Sequence, residues 1–144
     1  MNGNVLLLTN LAATLFLTGL VWVLQVVQFP LMLQAGGVDF PGYVKHQRAR
    51  NTLVMAPVML IELITGGWLL ADPRLPHRDV FHAALLLIII WLVTFGSIIP
   101  IHSKLARGFD ETRVRTLIRR NWIRTVCWSL RSGVMLWIAG RRFC

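Results

Sequence analysis

Apolar residues fill four blocks of this chain, and polar residues collect in the intervals between them. The first block, VLLLTNLAATLFLTGLVWVLQVVQF, runs over about 5–29 and closes at Pro30. The second, TLVMAPVMLIELITGGWLLA, runs over about 52–71 and closes at the turn-rich DPRLPHRD. The third, VFHAALLLIIIWLVTFGSIIP, covers about 80–100, and the fourth about 118–139. A helix needs about 20 predominantly apolar residues to cross the roughly 30 Å hydrocarbon layer. The pattern therefore predicts an all-α integral membrane four-helix bundle, with residues 1–144 as one membrane domain. The first block has no basic flank, exceeds the usual signal-peptide core and lacks an A-x-A site, so it reads as a retained span.

The interval GGVDFPGYVKHQRAR predicts a short interfacial helix in the first of the longer loops. Asp39 would cap it, with Pro41 in its first turn. Phe40, Tyr43 and Val44 would then dip into the interface while Lys45, His46 and Arg48 face water. Pro57 is expected to kink the second span or to mark its true start.

The fourth block interrupts its apolar run with NWIRTVCWSLRSG, residues 121–133. At 100° per residue, Asn121, Thr125, Trp128, Ser132, Arg124 and Arg131 fall within an arc of roughly 120°. Ile123, Val126, Leu130 and Trp137 cover the opposite side, so the polar arc is expected to face the bundle interior. The first span repeats the design with Asn10, Thr14, Thr18, Trp22, Gln25 and Gln28 on one face. The second offers Glu62, about ten residues from its start, at a depth comparable with Arg131. An ion pair between Glu62 and an arginine is the least costly way to hold these charges in a membrane.

Composition sharpens this picture. Of 144 residues, 56% are hydrophobic and 15% charged, with a mean hydropathy of +0.62, leaving too little polar surface to clothe a soluble domain. A net charge of +9 in a soluble protein would suggest nucleic acid. Here the basic residues lie between apolar blocks, where they set topology and meet lipid headgroups, so no nucleic-acid partner is expected. Lys45, Arg48, Arg50, Lys104, Arg107, Arg113, Arg115, Arg119 and Arg120 share one side, and Arg74, Arg78, Arg141 and Arg142 the other. The bias puts both termini outside and the two longer loops in the cytoplasm. Cys127 and Cys144 are too far apart along one helix to pair, and Cys127 reads as a packing residue.

Glu62, Arg131 and Arg124 are the candidate catalytic residues, because ionisable groups at membrane depth mark sites. The arginines suit a carboxylate or phosphate, and Glu62 a proton acceptor or counter-ion. Gln25, Gln28, Trp22, Tyr43, Asn121, Thr125 and Trp128 are the candidate substrate-binding residues around them. His46 and His102, both at the cytoplasmic face, are the candidate ligands for a metal ion or a haem, with Glu62 as a third ligand. The bland alternatives are helix glue for the ion pair and snorkelling for Arg124.

The fragments LVWVLQVVQFPLM, FPGYVKHQRAR, APVMLIELITGGWLL, IPIHSKLARGFD and NWIRTVCWSLRSG resemble a group of four-span bacterial inner-membrane proteins over nearly the whole chain. That resemblance implies a fold and a bacterial cytoplasmic membrane, but no activity. The length, the four spans and the P-x-M…T-G-x-W-L-L string loosely resemble the membrane-bound, haem-dependent protoporphyrinogen oxidase of bacteria. The first span has no histidine where that family places one, and the chain lacks its closing lysine–proline motif.

Three functions compete at this level. One is a membrane-embedded oxidoreductase acting on a lipophilic or anionic amphiphilic substrate, with an intramembrane polar site open to the cytoplasm. Another is a non-catalytic subunit or assembly factor of a larger membrane complex. The third is an oligomeric transporter. The expected partners are membrane lipid, together with other membrane subunits or further copies of the chain.

Overall fold

The computed structural model describes residues 3–37 and 39–143. These form four helices, α1 (Gly3–Met32), α2 (Phe40–Leu70), α3 (His77–Leu105) and α4 (Glu111–Phe143), with no strand among the described residues. The connections are short, so successive helices run antiparallel. At one end Arg142 Nε donates to Asn4 Oδ1 at 3.0 Å, and the Asp72 carboxylate lies against Gly3. At the other, Phe109 meets Phe40 edge-on at 4.9 Å and rests against Gly36. We call these the terminal end and the loop end.

Helices α1, α2 and α3 are each long and apolar enough to cross a membrane. Their outer faces carry bare apolar side chains, Leu53, Trp68 and Leu92 among them. Contiguous apolar surface of this kind needs a non-aqueous cover. Helix α4 is the most amphipathic of the four and packs against both α1 and α3. Its arginines at 124 and 131 are buried, while Ile123, Val126, Leu130 and Trp137 face outward, as the helical arc requires.

Two apolar clusters occupy the interior. One, towards the loop end, includes Leu17, Phe29, Met32, Phe40, Leu105, Leu117 and Trp128. The other, towards the terminal end, includes Leu7, Leu69, Leu75, Met135 and Ile138. Between them lies a layer of buried polar side chains that decides the chemistry of the molecule.

The first loop departs from expectation. Helix α2 is continuous from Phe40, so residues 40–51 are its opening turns and do not form a separate helix. Phe40 and Val44 are sealed into the core, and their burial anchors this extension to the bundle. Tyr43, Lys45 and His46 are exposed, but Arg48 is half-buried against the bundle. Asp39 precedes the helix with its backbone carbonyl, which accepts from the Tyr43 N–H at 3.0 Å, and its side chain makes no cap. Pro57 lies inside α2 and neither starts nor ends it. Cys127 is buried in the loop-end cluster, and Cys144 lies outside the described residues.

Two further features come from prolines. Residues Leu24–Gln28 of α1 and Thr94–Ile98 of α3 form π-helical turns. The Phe29 N–H bonds to the Leu24 carbonyl and the Ile99 N–H to the Thr94 carbonyl, each five residues back. Pro30 and Pro100 follow immediately. A proline inside a helix has no N–H to donate and its ring crowds the carbonyl four residues earlier. A widened turn just before it relieves that crowding, and such turns recur at functional sites.

Candidate functional site

The polar layer divides into a closed part and an open part. The closed part is centred on Glu62 of α2 and Arg131 of α4, whose side chains are sealed from the surface. Arg131 Nε donates to Glu62 Oε1 at 2.9 Å, and Thr14 Oγ1 donates to the same oxygen at 2.7 Å. Trp128 Nε1 donates to Glu62 Oε2 at 3.2 Å. The rest of the guanidinium is also engaged: Nη2 donates to Asn10 Oδ1 at 3.0 Å, and Nη1 to the Ala83 carbonyl. Asn10 in turn donates to the Glu62 carbonyl at 2.8 Å and to Thr65 Oγ1 at 2.7 Å. All four helices thus contribute to one network.

Gly66 of α2 lies beside this network. A Cβ at Gly66 would lie 3.5 Å from both Arg131 Nη2 and Asn10 Nδ2. A buried carboxylate that accepts three hydrogen bonds and carries its own counter-ion has its charge and both its oxygens satisfied. This arrangement locks helices together.

The open part lies nearer the loop end and is centred on Arg124. The residue is 3% exposed, yet no carboxylate pairs with it among the described residues. Nη1 donates to Asn121 Oδ1 at 3.0 Å, and the group sits 5.0 Å from the Trp128 ring centroid, a cation–π contact. Asn121 is itself held, since its Nδ2 donates to Gln25 Oε1 at 2.8 Å while Gln25 Nε2 donates to the Ile118 carbonyl. The Thr125 hydroxyl donates to the Asn121 carbonyl at 3.1 Å. The polar arc of α4 thereby aims one unneutralised cation.

Arg124 lines a cavity of about 380 Å³ between α1, α2 and α3. Leu24, Phe29, Met55, Met59 and Ile98 supply much of its apolar wall, and Arg48, Asn51, Thr94 and His102 its polar positions. Arg48 Nη1 donates to Ser103 Oγ at 3.0 Å and likewise has no carboxylate partner among the described residues. Four buried side-chain polar atoms among the described residues lack a hydrogen-bond partner. Three of them, Trp91 Nε1, His102 Nδ1 and Arg124 Nε, belong to residues that line this cavity. Buried polar groups are nearly always satisfied, so these three mark the loop end as the less completely paired part of the polar layer.

Not every residue expected at the site is there. Gln25, Asn121, Thr125, Arg124 and Trp128 come together as expected, and Glu62 pairs with Arg131. Trp22 lies on the outer surface, its indole donating to Ser129 Oγ at 3.1 Å and its ring edge-on to Trp122. Tyr43 is exposed and leans towards Phe40. Gln28 ties α1 to α2, accepting from Gln47 and from Asn51.

The two histidines differ in their surroundings. His46 is exposed and bonds the Gly42 carbonyl of its own helix, whereas His102 is buried beside Phe29. No group of three His, Cys, Asp or Glu side chains able to hold a metal ion occurs among the described residues. Glu62 is bound to Arg131 instead, so the expected set of two histidines and a carboxylate is not assembled.

Sequence reasoning missed Arg48 and Trp91 at the cavity, and the roles of Asn10 and Thr14 as partners of the ion pair, although both lie on the polar face of the first span. Thr94, a polar position of the third span, lines the cavity. The chain matches no protein-family model, no curated protein and no solved structure.

Proposed function

We propose that the chain is a four-span membrane protein whose loop-end cavity binds an anionic amphiphile, with the anionic head on Arg124 and Arg48. The observation that carries this reading is a buried Arg124 without a carboxylate partner among the described residues, on the wall of a cavity that Arg48 and His102 also line. A bare cation in such a place is costly unless an anion joins it. The walls are largely apolar, which suits a ligand whose remainder is hydrocarbon.

In this reading α4 is the fourth span, since its 33 residues reach about 50 Å and its arginines at 124 and 131 face inward. The excess of Lys and Arg at the loop end supports a cytoplasmic position for the cavity mouth and an outside position for both termini. Glu62 serves as the counter-ion of Arg131 and not as a proton acceptor. The role is recognition of the amphiphile, and no electron-transfer chemistry is assigned to these residues.

Native mass spectrometry of the detergent-purified chain with added oleate tests this. The wild type is expected to retain the anion, and Arg124→Gln to lose at least ten-fold in affinity. Equal retention by both proteins would refute the proposal.

A further inference from the structure

Trp91 and Phe95 of α3 line the cavity around Arg124, and they also line a second, larger space of about 600 Å³ between α2 and α3. The two rings stack at 5.4 Å with an angle of 22° between their planes. One aromatic pair therefore borders both spaces.

The second space is a groove with almost no polar lining. Leu63, Leu70, Leu87 and Ile88 form its sides, and Arg131, already engaged with Glu62, Asn10 and Ala83, is the charged residue on its wall. Its width comes from missing side chains. Gly66, Gly67 and Gly96 all border it, and a Cβ at Gly67 or Gly96 would meet nothing within 4 Å. From Phe95 to Val80, both of which line it, α3 advances about 22 Å. That is the reach of a long hydrocarbon chain and exceeds what a short organic acid needs.

We infer that the ligand of the Arg124 cavity is a single-chain oxyanion lipid whose tail passes Trp91 and Phe95 and lies in the α2–α3 groove. This rests on the binding role proposed for Arg124. The first space presents two arginines without carboxylate partners among the described residues, and the second is apolar, so charge and hydrocarbon are separated between them as they are in such a lipid. Carboxylate and phosphate heads share the chemistry that the arginines recognise. A neutral lipid of equal chain length lacks it.

The test places the full chain in phosphatidylcholine nanodiscs doped with oleate, oleoyl lysophosphatidate or monoolein, with octanoate as the short control. Retention is read by native mass spectrometry. Wild type is expected to retain either long-chain oxyanion at least ten-fold over monoolein. The double variant Gly67→Phe/Ala84→Phe fills the groove without touching Arg124. It should lose the long-chain preference while binding octanoate within about two-fold of wild type.

If the filled variant holds oleate as tightly as wild type while Arg124→Gln loses it, the tail does not use the groove, though the binding role of Arg124 stands. If Arg124→Gln keeps both oleate and octanoate, the binding role fails as well. Equal retention of monoolein overturns the oxyanion assignment. A second measurement avoids filling the groove: dibromostearate should quench the Trp91 component of wild-type fluorescence, read as the difference from Trp91→Phe. No quenching of that component overturns the inference.

Discussion

Arg131 Nε donates to Glu62 Oε1 at 2.9 Å, with both side chains sealed inside the bundle. Seven residues earlier on the same helix, Arg124 is almost as deeply buried and has no carboxylate. The two arginines share a sequence context and a helix face but not a role. One holds α2 and α4 together, and the other is presented to a cavity.

Breaking the Glu62–Arg131 pair from one side strands the other charge, which typically costs about 3–5 kcal/mol. Arg131→Met and Glu62→Leu should each lower the unfolding midpoint in detergent strongly. The double variant should be less damaged than the sum of the two, because no lone charge remains. Strict additivity in a titration with denaturing detergent would show that the two side chains are not coupled.

Thr14 donates to the same carboxylate oxygen that Arg131 reaches. Thr14→Val removes that donor at nearly constant volume and is expected to cost about 1.5–3 kcal/mol, the range for hydrogen bonds to charged groups. Thr14→Ser retains the hydroxyl and should stay close to wild type. Equal losses in the same unfolding assay would assign the effect to packing.

Gly66 gives the Arg131 guanidinium its room. A Cβ alone falls at ordinary contact distance, so Gly66→Ala should be tolerated. Gly66→Leu would push into Arg131 and Asn10, and overpacking of this kind costs about 1–3 kcal/mol. A leucine variant as stable as wild type would mean that the network can move aside.

Asn121 fixes the direction in which Arg124 points, through the 3.0 Å bond from its Nη1. Asn121→Leu leaves the cation in place but unguided. Affinity for oleate should fall several-fold, less than for Arg124→Gln, when both are measured by native mass spectrometry. A complete loss with Asn121→Leu would make the asparagine itself a ligand contact.

Much of this arrangement is legible in the sequence, for identifiable reasons. A polar arc on an otherwise apolar helix can only turn inward, so Asn121, Arg124, Thr125, Trp128 and Arg131 had one place to go. Equal depth made Arg131 one candidate partner for Glu62. Periodicity gives no distance between helices, however, and it therefore left open which arginine Glu62 would choose and whether His46 meets His102. The early start of α2 was hidden because its opening turns are basic and resemble a loop. Its anchor is the burial of Phe40 and Val44, a tertiary contact. Pro30 reads in the sequence as the close of the first span, yet α1 continues past it to Met32, and nothing in the one-dimensional pattern specifies the π-helical turn that allows this.

On the proposed binding role, Arg124 is held for a ligand and not for stability. Thermal unfolding of wild type and Arg124→Met in nanodiscs, with and without saturating oleate, tests it most directly. Without ligand, removing a buried unpaired cation should leave the variant at least as stable as wild type. With oleate, wild type should gain about 2.7 kcal/mol at a hundred times its dissociation constant, and the variant nothing. A variant that is destabilised as much as Arg131→Met yet still gains from oleate would contradict the account.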